Sequence, residues 1–159
     1  MSFNLINVGI GDFKITSAPD ILRTILGSCV GICLYDPKLK IGGLSHIMLP
    51  NAPSNSVSIF KYAESAIPAM IDNMQKEGAD KKRMIAKIAG GAKMFNTKEN
   101  SIMGEIGNNN INKVKELLKE SNIKVVAEDT GGDYGRTLDF YLESGTIKIK
   151  VMGAVERTL

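Results

Sequence analysis

The side chains that can act as nucleophiles or general bases near neutral pH are few in this sequence and lie in one segment. The only histidine, His46, and both cysteines, Cys29 and Cys33, fall within RTILGSCVGICLYDPKLKIGGLSHIMLP. An imidazole that takes the proton of a neighbouring thiol turns the cysteine into a nucleophile, so a Cys–His pair is the minimum for acyl transfer. The segment therefore indicates cysteine-dependent acyl transfer if the fold brings these groups together.

The same segment predicts a β-hairpin that would bring Cys29 and His46 together. Apolar residues alternate along VGICLY, IGGLSHIML returns after it, and Asp36-Pro37 between them is a typical turn opener. With Pro37 and Lys38 as the two central turn residues, Cys29 lies directly opposite His46. A four-residue turn would shift the register but keep both side chains on one face, whereas a three-residue turn would separate them.

The neighbours of this pair add three expectations. Gly31 and Gly42 share its face, and we expect them to leave open space where a substrate could approach. Backbone N–H groups around Gly27 and Ser28 could form an oxyanion hole. A third side chain usually orients the imidazole in such sites, and the nearby candidates are Thr24, Ser28 and Ser45.

The residue pattern alone does not decide between a catalytic pair and ordinary structural residues. Free cysteines are often buried as small apolar side chains, which is the interpretation we favour for Cys33 within VGICLY. The spacing of Cys29 and Cys33 along one strand is too long for a disulfide, so both are expected to be free thiols. One histidine and two cysteines on one strand do not form a zinc ligand set, so we expect no metal or cofactor. AGGAK and TGGDYGR fit no phosphate-binding motif and are interpreted as tight turns.

Composition predicts one globular domain over residues 1–159. The chain is 43% hydrophobic and 23% charged, which argues against disorder. A net charge of +3 is too small to indicate nucleic-acid binding. We find no apolar run long enough to span a bilayer and expect a cytoplasmic protein without membrane insertion.

The periodicities predict an α+β layered fold, with a mainly antiparallel or mixed β core and about two main helices packed outside. Residues 58–77 and 110–122 show helical spacing, and Pro68 should kink the first helix or mark its effective start. Strands are predicted at FNLINV, FKIT, RMIAKIAGG, IKVVAED, TLDFYL and TIKIKVM. The short connections between the last three strands favour antiparallel pairing.

Several motifs together resemble the CheD family, the chemoreceptor glutamine deamidases of bacterial and archaeal chemotaxis. LGSCVGICLYDPKLKIGGLSHIMLP resembles the family signature, and YAESAIPAMIDNMQKEGA its helix. AKIAGGAKMF resembles the glycine turn, IGNNNI the Ile-Gly-x-x-Asn element, and EDTGGDYGRTLDFYLESGTIKIK the C-terminal strands. The motifs follow the family order over nearly the whole chain.

The resemblance implies a protein-glutamine glutaminase, a hydrolase in which Cys29 is the nucleophile, His46 the base and Thr24 the third residue. Arg23 stands where some members carry that threonine, and Asn109 stands where many carry arginine. The implied partners are chemoreceptors, as substrates, and a CheC-type phosphatase.

Two other functions remain possible at this point. The chain could be a regulatory binding module that docks the phosphatase, with deamidation secondary, or a plain structural domain with a buried thiol. Only the enzyme requires Cys29 to be accessible with a lowered pKa.

Overall fold

The computed structural model describes residues 2–94 and 102–159, with side chains from residue 105 onward in the second range. Its strands form two five-stranded sheets. The strands are β1 Leu5–Asn7, β2 Phe13–Ser17, β3 Ile21–Leu26, β4 Val30–Asp36, β5 Ile41–Ile47, β6 Ile85–Gly90, β7 Lys124–Thr130, β8 Arg136–Tyr141, β9 Ile147–Lys150 and β10 Arg157–Thr158. The first sheet has the order β1-β3-β8-β9-β10, and the second has the order β2-β5-β4-β6-β7.

Three layers result, because the second sheet is apolar on both faces. Val30, Ile32 and Leu34 of β4 pack in a core with helices α1 (Ala63–Lys76) and α2 (Ile102–Glu120). Cys33 and Tyr35 point the other way, into a second core shared with the first sheet. All seven residues of β4 are buried, as expected of a central strand covered on both sides. The predicted α+β layered fold is confirmed.

The helices differ from the prediction at their starts. A short 3-10 helix at Ile59–Lys61 precedes α1, which begins at Ala63 and runs past Pro68 to Lys76. Pro68 therefore does not mark the start, and it lies in the second turn. The second helix begins well before residue 110, so it contains the whole IGNNNI element. None of the helices in the described ranges combines the length and the apolar composition of a membrane-spanning helix.

The late strands do not all pair as predicted. β8 and β9 are antiparallel neighbours, but β7 belongs to the other sheet and runs parallel to β6. Helix α2 carries the chain back between β6 and β7, and such a crossover is what parallel pairing requires. The short connection from β7 to β8 passes between sheets instead of forming a hairpin.

The turn between β4 and β5 has two residues more than the two-residue turn with Pro37 and Lys38 at its centre. Asp36 pairs with Ile41, which leaves four residues in the turn. The Asp36 carboxylate accepts hydrogen bonds from the backbone N–H groups of Lys38 (3.0 Å) and Leu39 (3.5 Å). Lys40 closes the turn in the left-handed region at φ 54°, and its N–H donates to the Asp36 carbonyl. The Asp36 side chain, which hydrogen-bonds the backbone of its own turn, stabilises this four-residue turn in place of the predicted two-residue turn.

The two glycines beside the predicted pair do not leave open space, contrary to expectation. A Cβ atom on Gly42 would overlap the side chains of Leu142 and Phe140, and one on Gly31 would lie 3.1 Å from Leu26. Leu26 and Phe140 belong to strands of the first sheet, and Leu142 comes directly after its strand β8. Gly31 and Gly42 therefore let the two sheets approach each other closely.

Candidate active site

The His46 imidazole is held between the two sheets by one threonine. His46 lies on β5, is 2% exposed, and has Nδ1 2.7 Å from the hydroxyl oxygen of Thr24 on β3. The same hydroxyl lies 2.7 Å from the carbonyl oxygen of Val8. A carbonyl can only accept, so the single hydroxyl hydrogen goes to Val8 and the oxygen accepts from Nδ1–H. This arrangement fixes the tautomer and leaves the lone pair on Nε2.

Strand alternation explains why Thr24, and not Arg23, reaches the histidine. Leu22, Thr24 and Leu26 on β3 point inward and are buried. Arg23 points outward, where its guanidinium makes two hydrogen bonds of 2.6 and 2.8 Å to Asp139. The threonine predicted for the site is therefore the one in contact with His46.

The strand register places Cys29 diagonally from His46 and not directly opposite it. The register places Gly31 opposite His46, so Cys29, two residues earlier, is a diagonal neighbour. Cys29 packs against the core between the sheets, which is the side from which His46 reaches Thr24. In the described part of the chain, no group bonds to His46 Nε2 and no hydrogen bond joins it to the Cys29 thiol. The lone pair of His46 Nε2 is therefore free to accept a proton.

Both reactive groups are held in their neutral forms. Burial lowers the pKa of His46 to about 4 and raises the pKa of the Cys29 thiol. The lowered thiol pKa expected from the sequence is thus wrong for this state, because removal from water disfavours the thiolate. At neutral pH the site holds a thiol and a neutral imidazole, so the thiol proton must move when the sulfur attacks.

The turn that carries Cys29 offers backbone N–H groups. The carbonyls of Gly27, Ser28 and Cys29 accept hydrogen bonds from Ala92 N–H (3.0 Å), an Asn110 side chain (3.2 Å) and Gly91 N–H (2.8 Å). Within residues 2–94 and 102–159, no acceptor takes the N–H groups of these same three residues. Unbonded amides next to the Cys29 thiol are the donors that an oxyanion hole would require.

The other sequence candidates have different environments. Cys33 is 1% exposed, and burial raises the pKa of its thiol, which confirms it as a buried apolar residue. The Ser45 hydroxyl is buried and has no hydrogen-bond partner among the described residues, so it does not orient the imidazole. Ser28 contributes its backbone to the turn. Among the described residues there is no cluster of His, Cys, Asp and Glu that could hold a metal ion.

Two contacts at the site were not predicted from the sequence. The Val8 carbonyl, which fixes the Thr24 hydroxyl, comes from the residue after β1 and carries no sequence signal. Asn110 was not predicted as a contact of the site, although it lies in the IGNNN motif. Its spacing to Gly107, which faces the same side of α2, was the available signal.

An open cleft of about 390 Å³ reaches the site from the β1 side. Thr24 and His46 lie in its lining, together with Ile10 and Ile25. The last two are 64% and 70% exposed, which is high for large apolar side chains. Cys29 is not part of this lining, so the cleft reaches His46 and not the Cys29 thiol.

Comparison with known proteins places the chain in a family. Residues 48–151 match the family model described as CheD chemotactic sensory transduction. The chain is 51% identical over 156 residues to a protein of Caldanaerobacter subterraneus subsp. tengcongensis, covering 96% of both chains. It is 46% identical to a protein of Clostridium novyi over 96% of both chains, and 46% identical to one of Syntrophomonas wolfei over 98%. Each relative is named probable chemoreceptor glutamine deamidase CheD. This chain belongs to the CheD family.

Proposed function

We propose that this protein is a chemoreceptor glutamine deamidase that uses Cys29, His46 and Thr24. The observation that carries the proposal is the bond between Thr24 and Nδ1 of His46, which leaves Nε2 free to accept a proton. The half-buried Cys29 packs against the same inter-sheet core. The relatives named as deamidases support the same activity. Their alignments cover nearly all of this chain, so the resemblance is not confined to one motif.

The first half of the reaction forms a thioester. The Cys29 sulfur attacks the carboxamide carbon of a glutamine side chain while His46 Nε2 takes the thiol proton. The negative charge that develops on the carbonyl oxygen is stabilised by N–H groups of the 27–29 turn. The C–N bond then breaks, and the imidazolium returns its proton to the departing ammonia.

The second half of the reaction releases glutamate. A water molecule gives a proton to His46 Nε2 and attacks the thioester carbon, and the C–S bond breaks. The thiolate recovers the proton from the imidazolium, so the enzyme returns to its neutral resting state. A methyl ester of glutamate is open to the same attack, with methanol as the leaving group.

The substrate in this proposal is a long cytoplasmic receptor helix. Conversion of glutamine to glutamate replaces a neutral side chain by a charge and changes the pairing on the helix surface. The apolar rim of the cleft, formed by Ile10 and Ile25, offers a surface for such a helix next to His46. A cytoplasmic location and docking of a CheC-type phosphatase are part of the proposal and rest on the family resemblance.

A mass-spectrometric assay tests the activity. The protein is incubated with the cytoplasmic fragment of a chemoreceptor, and digested peptides are compared with those from a fragment incubated alone. Each converted glutamine gains about one dalton, because oxygen replaces an NH group in this acyl transfer. Deamidation is expected at a few glutamines on the helices. Equal peptide masses in both samples, across several receptor fragments, would refute the proposal.

A further inference from the structure

Asn110 connects the two segments that carry the proposed catalytic pair. Its side chain is fully buried and donates hydrogen bonds to the carbonyls of Ser28 (3.2 Å) and Met48 (2.9 Å). Ser28 precedes Cys29, and Met48 lies two residues after His46. The side-chain oxygen has no partner among the described residues, so these two donor bonds are the ones that fix the carboxamide. The reverse orientation would place oxygen against two carbonyl oxygens.

A glycine of α2 packs closely against the segment that is hydrogen-bonded to the 27–29 turn. A Cβ atom on Gly107 would overlap the carbonyl oxygens of Gly91 and Ala92, so only glycine allows this approach. The N–H groups of Gly91 and Ala92 in turn bond to the carbonyls of Cys29 and Gly27. Gly107 and Asn110 are three residues apart on one helix face. The Ile-Gly-x-x-Asn spacing thus seats α2 and the Cys29 turn together.

Peptide geometry links the Asn110 bond to the direction of the Cys29 N–H. The peptide between Ser28 and Cys29 is trans, so the Ser28 carbonyl and the Cys29 N–H point in opposite directions. Asn110 draws the Ser28 carbonyl toward α2, and the Cys29 N–H therefore points away from α2. It has no acceptor within the described ranges. An amide on the nucleophile itself is well placed to meet an oxyanion formed by attack of that nucleophile.

We propose that Asn110 is a positioning residue that orients the Cys29 N–H as an oxyanion donor. The proposal rests on deamidation by Cys29 as proposed above. Asn110 does not touch the reacting atoms. It acts through the Ser28–Cys29 peptide, and its second bond to Met48 holds the same turn at a fixed distance from the end of β5.

Asn110→Ala should separate oxyanion stabilisation from thiol reactivity. We expect kcat for deamidation to fall about 10- to 100-fold with KM changed less than about threefold, since the lost interaction forms in the transition state. Alkylation of Cys29 by iodoacetamide forms no oxyanion, so its rate and pH dependence should stay within about twofold of the wild-type values. A general structural role would instead change alkylation and kcat together, and that result would overturn the proposal.

Val114→Ala is the matched control for damage to the helix. Val114 is fully buried on α2, and its apolar side chain makes no hydrogen bond to Ser28 or Met48. At equal loss of stability it should retain near wild-type kcat, and a kcat as low as that of Asn110→Ala would contradict the proposal. If Asn110→Ala does not fold, Asn110→Ser is the second variant: its shorter side chain has a single O–H hydrogen and cannot bond both carbonyls, so it should show the same selective loss of kcat.

Amide hydrogen exchange on the wild-type protein provides a test without substitution. The Cys29 amide should exchange much faster than the amides of Gly91 and Ala92, which are bonded to the turn. Equal protection of all three would overturn the proposal, whether or not the protein deamidates receptors. Absence of deamidation by the wild-type protein would instead refute the proposed function, so the two failures are distinguishable.

Discussion

The neutral state of His46 is the residue-scale feature with the clearest pH signature. Because burial lowers its pKa to about 4, the imidazole stays uncharged and able to accept a proton well below neutral pH. His46 is the only histidine, so its ring signals in an NMR titration are unambiguous. We expect a titration midpoint near 4. A midpoint near the ordinary histidine value of about 6.5 would show that the ring is solvated, contrary to the structure.

Thr24 gives a second residue-scale prediction. Thr24→Ala removes the partner of Nδ1, so the ring can adopt the unproductive tautomer and deamidation should fall about 10- to 100-fold, with residual activity. Thr24→Ser keeps the hydroxyl and is the matched control, with activity within a few fold of wild type. Assays of kcat on a receptor fragment compare the two variants. Equal losses in both would place the role of Thr24 in its methyl group and not in the hydrogen bond.

The candidate residues of the site can be named from the sequence, whereas their exact contacts cannot. Cys29, His46 and Thr24 stand out because the chain has one histidine and a recognisable motif. Their burial depends on neighbours from β1 and β8, which are distant in sequence. That burial raises the pKa of the thiol, opposite to the sequence expectation.

At the scale of elements, the β4–β5 turn sets the register of the site. Asp36 is buried, and the Arg83 guanidinium that donates to it (2.7 Å) holds the pKa of that carboxyl at about 2. The same carboxylate bonds the backbone of the turn and the N–H of Asp80. This residue therefore ties β4 to the segment before β6 and stabilises the longer turn.

Asp36→Ala should destabilise the protein more than any other substitution in this turn. It leaves several donors unpaired, and we expect the free energy of unfolding to fall by about 3 kcal/mol. Urea denaturation measures the change, with Lys38→Ala, an exposed residue of the same turn, as the control expected to differ by less than about 0.5 kcal/mol. A small effect of Asp36→Ala, matching the control, would argue that the turn does not depend on this carboxylate.

The elements themselves were predicted better than their connections. Helices and strands follow from periodicity, and the same-face placement of Cys29 and His46 survives because a four-residue turn preserves parity. The turn length was wrong because Asp-Pro favours several turns locally, and the choice between them depends on Arg83, far along the chain. The parallel β6–β7 pair was missed because nothing local distinguishes a crossover from a hairpin.

The predicted AKIAGGAKMF segment ends at residue 95, which lies outside the described residues.

At the scale of the whole molecule, the cleft beside His46 predicts where a receptor helix docks. Ile25 is 70% exposed on β3, so Ile25→Asp should fold normally but place a charge on the apolar rim. We expect KM for a receptor fragment to rise about tenfold with kcat nearly unchanged, because the rim provides binding and no chemistry. Val126→Asp on β7, at the far edge of the other sheet, is the control and should leave KM unaltered. An unchanged KM for Ile25→Asp would exclude this face as the docking surface.

The layered architecture explains how a chain this small brings the candidate residues together. His46 lies on β5 of the helix-covered sheet, Thr24 lies on β3 of the other sheet, and Cys29 lies in the turn that joins β3 to β4. The three groups meet only when both sheets pack, so loss of this packing should abolish activity before it abolishes secondary structure. Loss of deamidase activity is therefore expected to be an early sign that the two sheets no longer pack.

Deamidation of a receptor fragment by Cys29→Ala tests the central claim most directly. Alanine removes the thiol but keeps a small apolar side chain, so the protein should fold as wild type by circular dichroism while activity falls by at least about a thousandfold. The Cys29→Ala/His46→Ala double variant should be no less active than Cys29→Ala alone, because the pair acts as a unit. Wild-type rates of glutamine conversion by a folded Cys29→Ala protein, read as mass gains in the same peptides, would contradict the account.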